Sequence, residues 1–142
     1  GTPHHGTPLV DAALKFGGEW RRVRGMLDRL GLNVDGMYEV TTQRMREFNR
    51  RVPNTPGVLY ANVLSTVNLD AGGVHAMLAM GHSYLLRRAG PNDGLVPAIS
   101  QLWGETLAEV DADHWAQIGW FGRLDVRVVY AQLAGCLRER EL

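Results

Sequence analysis

Apolar residues along the chain recur at two spacings, and each spacing predicts a different element. Three- and four-residue intervals mark amphipathic helices. Leu9, Val10, Ala13, Leu14 and Phe16 form the first such stripe, with Thr7 and Pro8 at the N-cap and first helical position and Gly17-Gly18 as the stop. A second helix is expected over Glu19–Leu30. Trp20, Val23, Leu27 and Leu30 line one side of it and Arg21, Arg22, Arg24 and Arg29 the other, and Gly31 closes it. A third runs from Thr41 or Thr42 to Arg51 with Met45 and Phe48 inward, until Pro53 and Pro56 break the pattern. Val74 to Arg88 reads as helix. Leu124 to Leu142 carries the cleanest stripe, Val126, Val129, Tyr130, Leu133 and Leu137, before the solvated tail Arg138-Glu139-Arg140-Glu141.

Two stretches read as strands. Gly57–Val67 is β-branched, aromatic and almost continuously apolar, the signature of a strand buried on both faces in a parallel sheet covered by helices. Glu105–Val110 is the second and ends at Asp111-Ala112-Asp113-His114-Trp115.

Composition narrows the picture. The 142 residues suit a single domain, 45% are apolar, 21% are charged and the formal net charge is zero. A nucleic-acid partner is not expected, because a bulk polyanion binder shows a basic excess. Nearly all the positive charge is Arg, Lys15 being the only lysine, and no functional meaning attaches to that bias. No run of eighteen apolar residues exists, so no transmembrane helix is expected. No signal peptide is visible, and the abrupt start at Gly1 without Met leaves room for upstream sequence that carried one. The single cysteine, Cys136, lies in an amphipathic run, forms no internal disulfide and is expected to pack. No repeats are present.

Four places invite a chemical reading. Pro91-Asn92-Asp93-Gly94 is a turn whatever its use, since Asn, Asp and Gly relieve unusual backbone angles, and it presents one carboxylate, Asp93. Twenty-one residues later a loop presents one imidazole, His114, with Asp111 and Asp113 as rival partners beside it. Met80-Gly81-His82-Ser83-Tyr84-Leu85 invites comparison with a nucleophile elbow. Leu85 stands where the tight turn needs a small residue, and Ser83 precedes Asp93 by only ten residues, so Ser83 is rejected as nucleophile. His82 is expected on the helix surface or supporting a site from behind. His4-His5 as a metal pair is also rejected. Adjacent histidines point apart, no H-E-x-x-H or Cys partner is present, and no metal or other cofactor is expected.

In combination these segments resemble the C-terminal portion of an α/β-hydrolase of the lipase and esterase type. Gly1-Thr2-Pro3-His4-His5-Gly6 reproduces the G-T-P-H-x-G segment of that family, and Phe48-Asn49, Pro53 and Gly57-Val58-Leu59-Tyr60 follow its F-N…P…G-V-x-Y order. Asp93-Gly94-Leu95-Val96-Pro97 matches its D-G-x-V-P acid turn, and His114 stands after the last strand. The resemblance implies a partial α/β-hydrolase fold, with the C-terminal strands of a mostly parallel sheet, flanking helices, and residues 18–52 as a helical lid or cap. It implies a Ser-Asp-His hydrolase of carboxylic esters in which Asp93 orients and stabilises the histidine and His114 shuttles the proton. The serine of the G-x-S-x-G elbow and the oxyanion donors beside it are absent from the chain, so the chain is expected to be inert towards esters alone. The implied partners are a small-molecule ester or lipid substrate and a missing N-terminal half. An open sheet edge is expected to invite self-association. In the lid region Trp20, Met26 and Leu27 either face an acyl chain or pack as core. The Arg faces there, with Arg44, Arg46, Arg50 and Arg51, are solvated or meet anionic headgroups. Some secreted relatives hold calcium through an Asp two residues after the histidine. That position is Ala116, so calcium is not carried over. Two alternatives stand beside this reading. One is a thioesterase or acyltransferase built on the same triad. The other is a non-catalytic helical binding module in which Asp93 and His114 lie far apart. A hydrogen bond of roughly 2.6–3.2 Å between the two residues discriminates between hydrolase and module.

Overall fold

The computed structural model describes residues 1–15, 35–68, 73–121 and 124–139. Helix α1 spans Pro8–Lys15, α2 Asp35–Glu39 and α3 Thr42–Arg51. Strand β1, Ala61–Thr66, is followed by α4, Ala79–Ala89, and the short α5, Ala98–Gln101. Strand β2, Glu105–Asp111, leads through a 3-10 turn, Ala116–Ile118, into α6, Val126–Glu139. The two strands pair in parallel. A parallel pair cannot be closed by a tight turn, and α4 and α5 occupy the crossover. α1 packs on α4, α5 lies against β1, and α6 lies against β2.

The start of β2 depends on one glycine. Gly104 has φ +71°, and a Cβ there would fall 1.9 Å from the Tyr60 carbonyl oxygen, the group that accepts the first bond of the pair from Glu105 N (2.9 Å). The register then slips: Asn62 faces Thr106 but Val63 faces Ala108, leaving Leu107 as an extra residue in β2.

The other edge of β1 is partly closed by a side chain. Tyr60 and Thr66 bond towards β2, through Glu105 N and Ala112 N, so Ser65 faces the opposite edge. There the Ser65 N–H donates to Gln101 Oε1 and its carbonyl accepts from Gln101 Nε2, both at 2.8 Å. The amide of a buried glutamine therefore stands in for one rung of a neighbouring strand. The same Nε2 also donates to Val96 O at 3.1 Å, which ties β1 to the loop before α5.

Several expected elements are shorter or differently buried. The strand over Gly57–Val67 contracts to β1. Residues 57–60 lie outside the strand: a turn at Pro56-Gly57, with Gly57 at φ +80° and the Val58 N–H donating to Thr55 O, precedes an irregular run in which the Thr55 N–H donates to the Tyr60 hydroxyl and Val58 and Leu59 are exposed. β1 is not buried on both faces: its buried members are the polar Asn62 and Ser65, and the rest are half-buried or exposed. The helix expected from Val74 begins at Ala79, after a turn. α6 starts at Val126 rather than Leu124 and buries no residue completely. Phe48 points outward and is 47% exposed, against the expectation of an inward face. The helix expected over Glu19–Leu30, with Trp20, Met26 and Leu27, lies outside the described residues. α2 had no clear signal in the sequence.

The buried set among the described residues is as much polar as apolar. Val10, Val67, Leu78, Leu85, Val96, Ala112 and Ala116 share it with Thr7, Asn62, Ser65, His82, Asn92, Asp93, Ser100, Gln101 and Asp113. Buried polar groups persist only when hydrogen-bonded, and most of these gather beyond the C-terminal ends of β1 and β2.

Candidate functional site

The acid turn follows from a short chain of local bonds. Asn92 is fully buried, and its carbonyl accepts from Val67 N (3.1 Å), just past the end of β1. Its side chain donates to His82 O and Gly90 O and accepts from Gly94 N at 2.9 Å, the Asx pattern that favours Asn in turns. Gly94 at φ +99° completes the reversal. Asp93 lies at its centre, 0% exposed, with one oxygen held by the backbone: Leu95 N and Val96 N donate to Oδ1 at 3.0 and 2.7 Å.

Helix α4 supports this turn from behind. Gly81 lies so close to it that a Cβ there would come within 2.6 Å of Gly94 O. The glycine that looked like half of an elbow motif is thus used for close packing against the acid turn. Ser83 lies in the second turn of α4, not on a strand-to-helix turn. His82 is 2% exposed rather than on the helix surface, and its Nε2 lies 2.8 Å from Val67 O. A carbonyl only accepts, so Nε2 carries the proton, and Nδ1 is left without a partner among the described residues. Burial of this histidine is explained by the Val67 carbonyl, which needs a donor where β1 has ended.

The opening Gly1–Pro8 segment braces the turn from another side. Thr7 Oγ1 donates to Leu95 O at 2.7 Å, Ser100 Oγ donates to Gly6 O at 2.6 Å, and His5 N donates to Ser100 Oγ at 3.1 Å. His4 stacks on Trp103, with ring centroids 5.5 Å apart. Among the described residues no cluster of three or more His, Cys, Asp or Glu is arranged to hold a metal.

The histidine loop is shaped by Asp113. This carboxylate is 1% exposed; Oδ1 accepts from Trp115 N (3.0 Å) and Ala116 N (2.9 Å), and Oδ2 accepts from His75 N (2.8 Å). All three donors are backbone groups, so Asp113 is spent on folding the loop. Asp111 is the exposed last residue of β2. Of the three aspartates, Asp93 alone meets His114. Its Oδ2 lies 2.9 Å from His114 Nδ1, and the His114 N–H also donates to Asp93 O at 2.7 Å. Backbone and side chain of the histidine are therefore both fixed to one residue. A carboxylate accepts, so Nδ1 carries the hydrogen in this pair and Nε2 keeps its lone pair in the neutral ring. The His114 side chain retains 32% exposure beside the fully buried acid. A helical module with the two residues apart does not describe this arrangement.

Sequence reasoning missed three features around the pair. Gln117 Nε2 donates to the same Asp93 oxygen at 3.0 Å. His75 packs its ring against Trp115 and Phe121, with centroids 5.0 and 4.8 Å away. Ile118, Trp120 and Phe121 leave an apolar surface exposed just after His114. The i, i+3 spacing of His114 and Gln117 was the one readable sign of the first. The aromatic cluster joins His75 to residues forty or more positions away and left none.

No family model matches the sequence, and no curated protein matches it. Solved structures do. The mature form of Bacillus licheniformis lipase BlEst2 is 24% identical with a TM-score of 0.66, over 96% of this chain and 52% of its own. Its propeptide form is 29% identical, TM-score 0.68, over 94% and 28%. Staphylococcus hyicus lipase is 15% identical, TM-score 0.68, over 99% and 55%. The chain thus spans about half the length of the mature Bacillus enzyme and of the Staphylococcus enzyme. Helices around a small parallel sheet, shared with lipases over nearly the whole chain, make this a partial α/β-hydrolase fold.

Proposed function

We propose that the chain supplies the acid, Asp93, and the histidine, His114, of a serine hydrolase acting on carboxylic esters. The observation that carries this reading is the 2.9 Å hydrogen bond from His114 Nδ1 to a carboxylate with no solvent exposure, in a fold shared with lipases. In the proposed reaction a serine hydroxyl attacks the acyl carbon and its proton passes to His114 Nε2. The resulting imidazolium is stabilised by Asp93 and returns the proton to the departing alcohol. Water then repeats the sequence and frees the acid. The serine and the oxyanion donors come from a further hydrolase segment, in the same or another polypeptide. The exposed Ile118, Trp120 and Phe121 beside His114 favour an apolar acyl group over a charged one. The same triad serves thioesterases and acyltransferases, which differ in the leaving group and in the acceptor.

A fluorophosphonate probe tests the reading, together with an intact mass. The 15.7 kDa chain alone is expected neither to label nor to hydrolyse a short-chain nitrophenyl ester. A polypeptide that joins it to a serine-elbow segment is expected to do both. His114→Ala or Asp93→Asn in that polypeptide should then cut kcat by on the order of 10³–10⁴. Labelling of the lone chain at Ser83, or a labelled assembly indifferent to His114→Ala, sinks the proposal.

A further inference from the structure

Asp93 has two oxygens, and they are held in different ways. Oδ1 is fixed by two backbone N–H groups, of Leu95 and Val96. Oδ2 meets only side chains: His114 Nδ1 at 2.9 Å and Gln117 Nε2 at 3.0 Å. Four donors fill the roughly four acceptor positions of a carboxylate, and with 0% exposure the group relies on them for its hydrogen bonds, with the Gly1 amino group adding a charge nearby.

The orientation of the Gln117 amide follows from its surroundings. Its NH₂ faces two acceptors, Asp93 Oδ2 and, at 3.5 Å, Asp113 O. Turned over, its carbonyl would oppose both, so the NH₂ belongs where it is. The geometry of the loop explains how Gln117 reaches the oxygen that His114 uses. Asp113 starts a tight turn through Trp115 N and Ala116 N, which runs into the 3-10 segment Ala116–Ile118. With three residues per turn, side chains at i and i+3 lie above one another, and His114 and Gln117 are such a pair. Tyr130 of α6 secures the same residue from outside, donating its hydroxyl to Gln117 O at 3.2 Å.

We propose that Gln117 is a positioning residue for the acid–histidine pair: its neutral amide holds Asp93 Oδ2 at the point where His114 Nδ1 meets it. The purpose given to the pair rests on the hydrolase reading above. The histidine must gain and lose a proton and is partly exposed, so it is a poor anchor for the acid. The two backbone bonds pin Oδ1 but leave the carboxylate plane free to rock about it. Gln117 neither titrates nor faces solvent fully, and it closes that freedom at every stage of the proton's passage.

The test is spectroscopic and uses the chain itself. The His114 Nδ1–H proton is identified by its loss in His114→Ala, and its exchange with water is measured by NMR in the parent chain, in Gln117→Met and in Gln117→Glu. Methionine removes the donor at similar length. Glutamate keeps the volume and sets a second carboxylate against the first. Both are expected to speed exchange at least about ten-fold, the factor that goes with losing one hydrogen bond to a charged group. Backbone amides outside residues 91–121 should keep their positions, which separates loss of aim from general loosening. An unchanged exchange rate in both variants overturns the proposal. Failure of the hydrolase reading shows elsewhere, as fluorophosphonate labelling that survives His114→Ala, so the two failures are distinguishable.

Discussion

Replacing Gly81 by alanine sets two effects of opposite sign against each other. Gly81 is in the first turn of α4, and alanine there gains about 1 kcal/mol of helix propensity over glycine. Against this stands the acid turn. The new Cβ would lie 2.6 Å from Gly94 O and 3.1 Å from Leu9 Cδ2, where ordinary contact begins at 3.4 Å. Leu9 can give, because its methyl is the end of a flexible side chain. Gly94 O cannot do so freely: it belongs to a turn fixed by Asn92 Oδ1 on Gly94 N and by the bonds to Asp93. Relief requires α4 and the turn to separate by most of an ångström, which stretches the Asn92 Nδ2 bond to His82 O, already 3.2 Å. Overpacking of this kind costs about 1–3 kcal/mol, so the net expectation is destabilisation by about 1 kcal/mol or somewhat more. Urea titration reads it as a midpoint lowered by about half a molar unit, with slopes of about 1–3 kcal/mol per molar. Gly135→Ala is the control. It lies within α6, a Cβ there meets nothing within 4 Å, and it should raise the midpoint. If Gly81→Ala stabilises as Gly135→Ala does, the close approach of helix and acid turn is not a constraint, and the account of why this position is glycine fails.

Asp113→Ala should orphan three backbone donors, Trp115 N, Ala116 N and His75 N, and cost about 3 kcal/mol or more by urea unfolding; a loss below about 1 kcal/mol would mean that the His114 loop folds without it. His4 titrates below the ordinary histidine value of 6.5, first because burial disfavours its charged form and next because His5 and the chain's amino terminus repel it. The unfolded chain therefore binds the proton first. Stability from this residue is full above the ordinary value and falls as pH drops below it. His4→Gln should reduce the difference in urea midpoint between about pH 7.5 and 5.5, and an unaltered difference would refute the assignment.

The sequence made the acid turn and the histidine loop legible because each is a contiguous run whose residue types are dictated locally: Asn92 for the Asx bond, Gly94 for positive φ, Asp113 and His114 at a strand end. Its residues alone left Asp111 and Asp113 as rivals to Asp93, the carboxylate that the family resemblance named, since that choice depends on which carboxylate the loop uses to fold. Asp113 turned inward to cap the loop, Asp111 stayed with the strand, and Asp93 remained for His114. The strand over Gly57–Val67 was overdrawn because Val58 and Leu59 are as apolar as strand residues, although the Gly57 turn keeps them out of the sheet. His82 was legible only as one of two alternatives, helix surface or support from behind, and the structure takes the second. A polar residue on a helix reads as surface unless one knows that a strand has ended behind it with an unpaired carbonyl. Phe48 shows the limit of periodicity itself: it takes its place on the helical stripe and still faces outward.

Gln101 has a consequence for how this sheet can grow. Of the outward-facing backbone groups of β1, those of Ser65 are already taken by a side-chain amide. Any strand added alongside has at most Ala61 and Val63 to bond, and it must turn away before reaching the level of the acid turn. A single glutamine thus acts as a stop on the ladder: it fixes how far a new strand can run, and it keeps an incoming chain from zipping on towards the buried carboxylate.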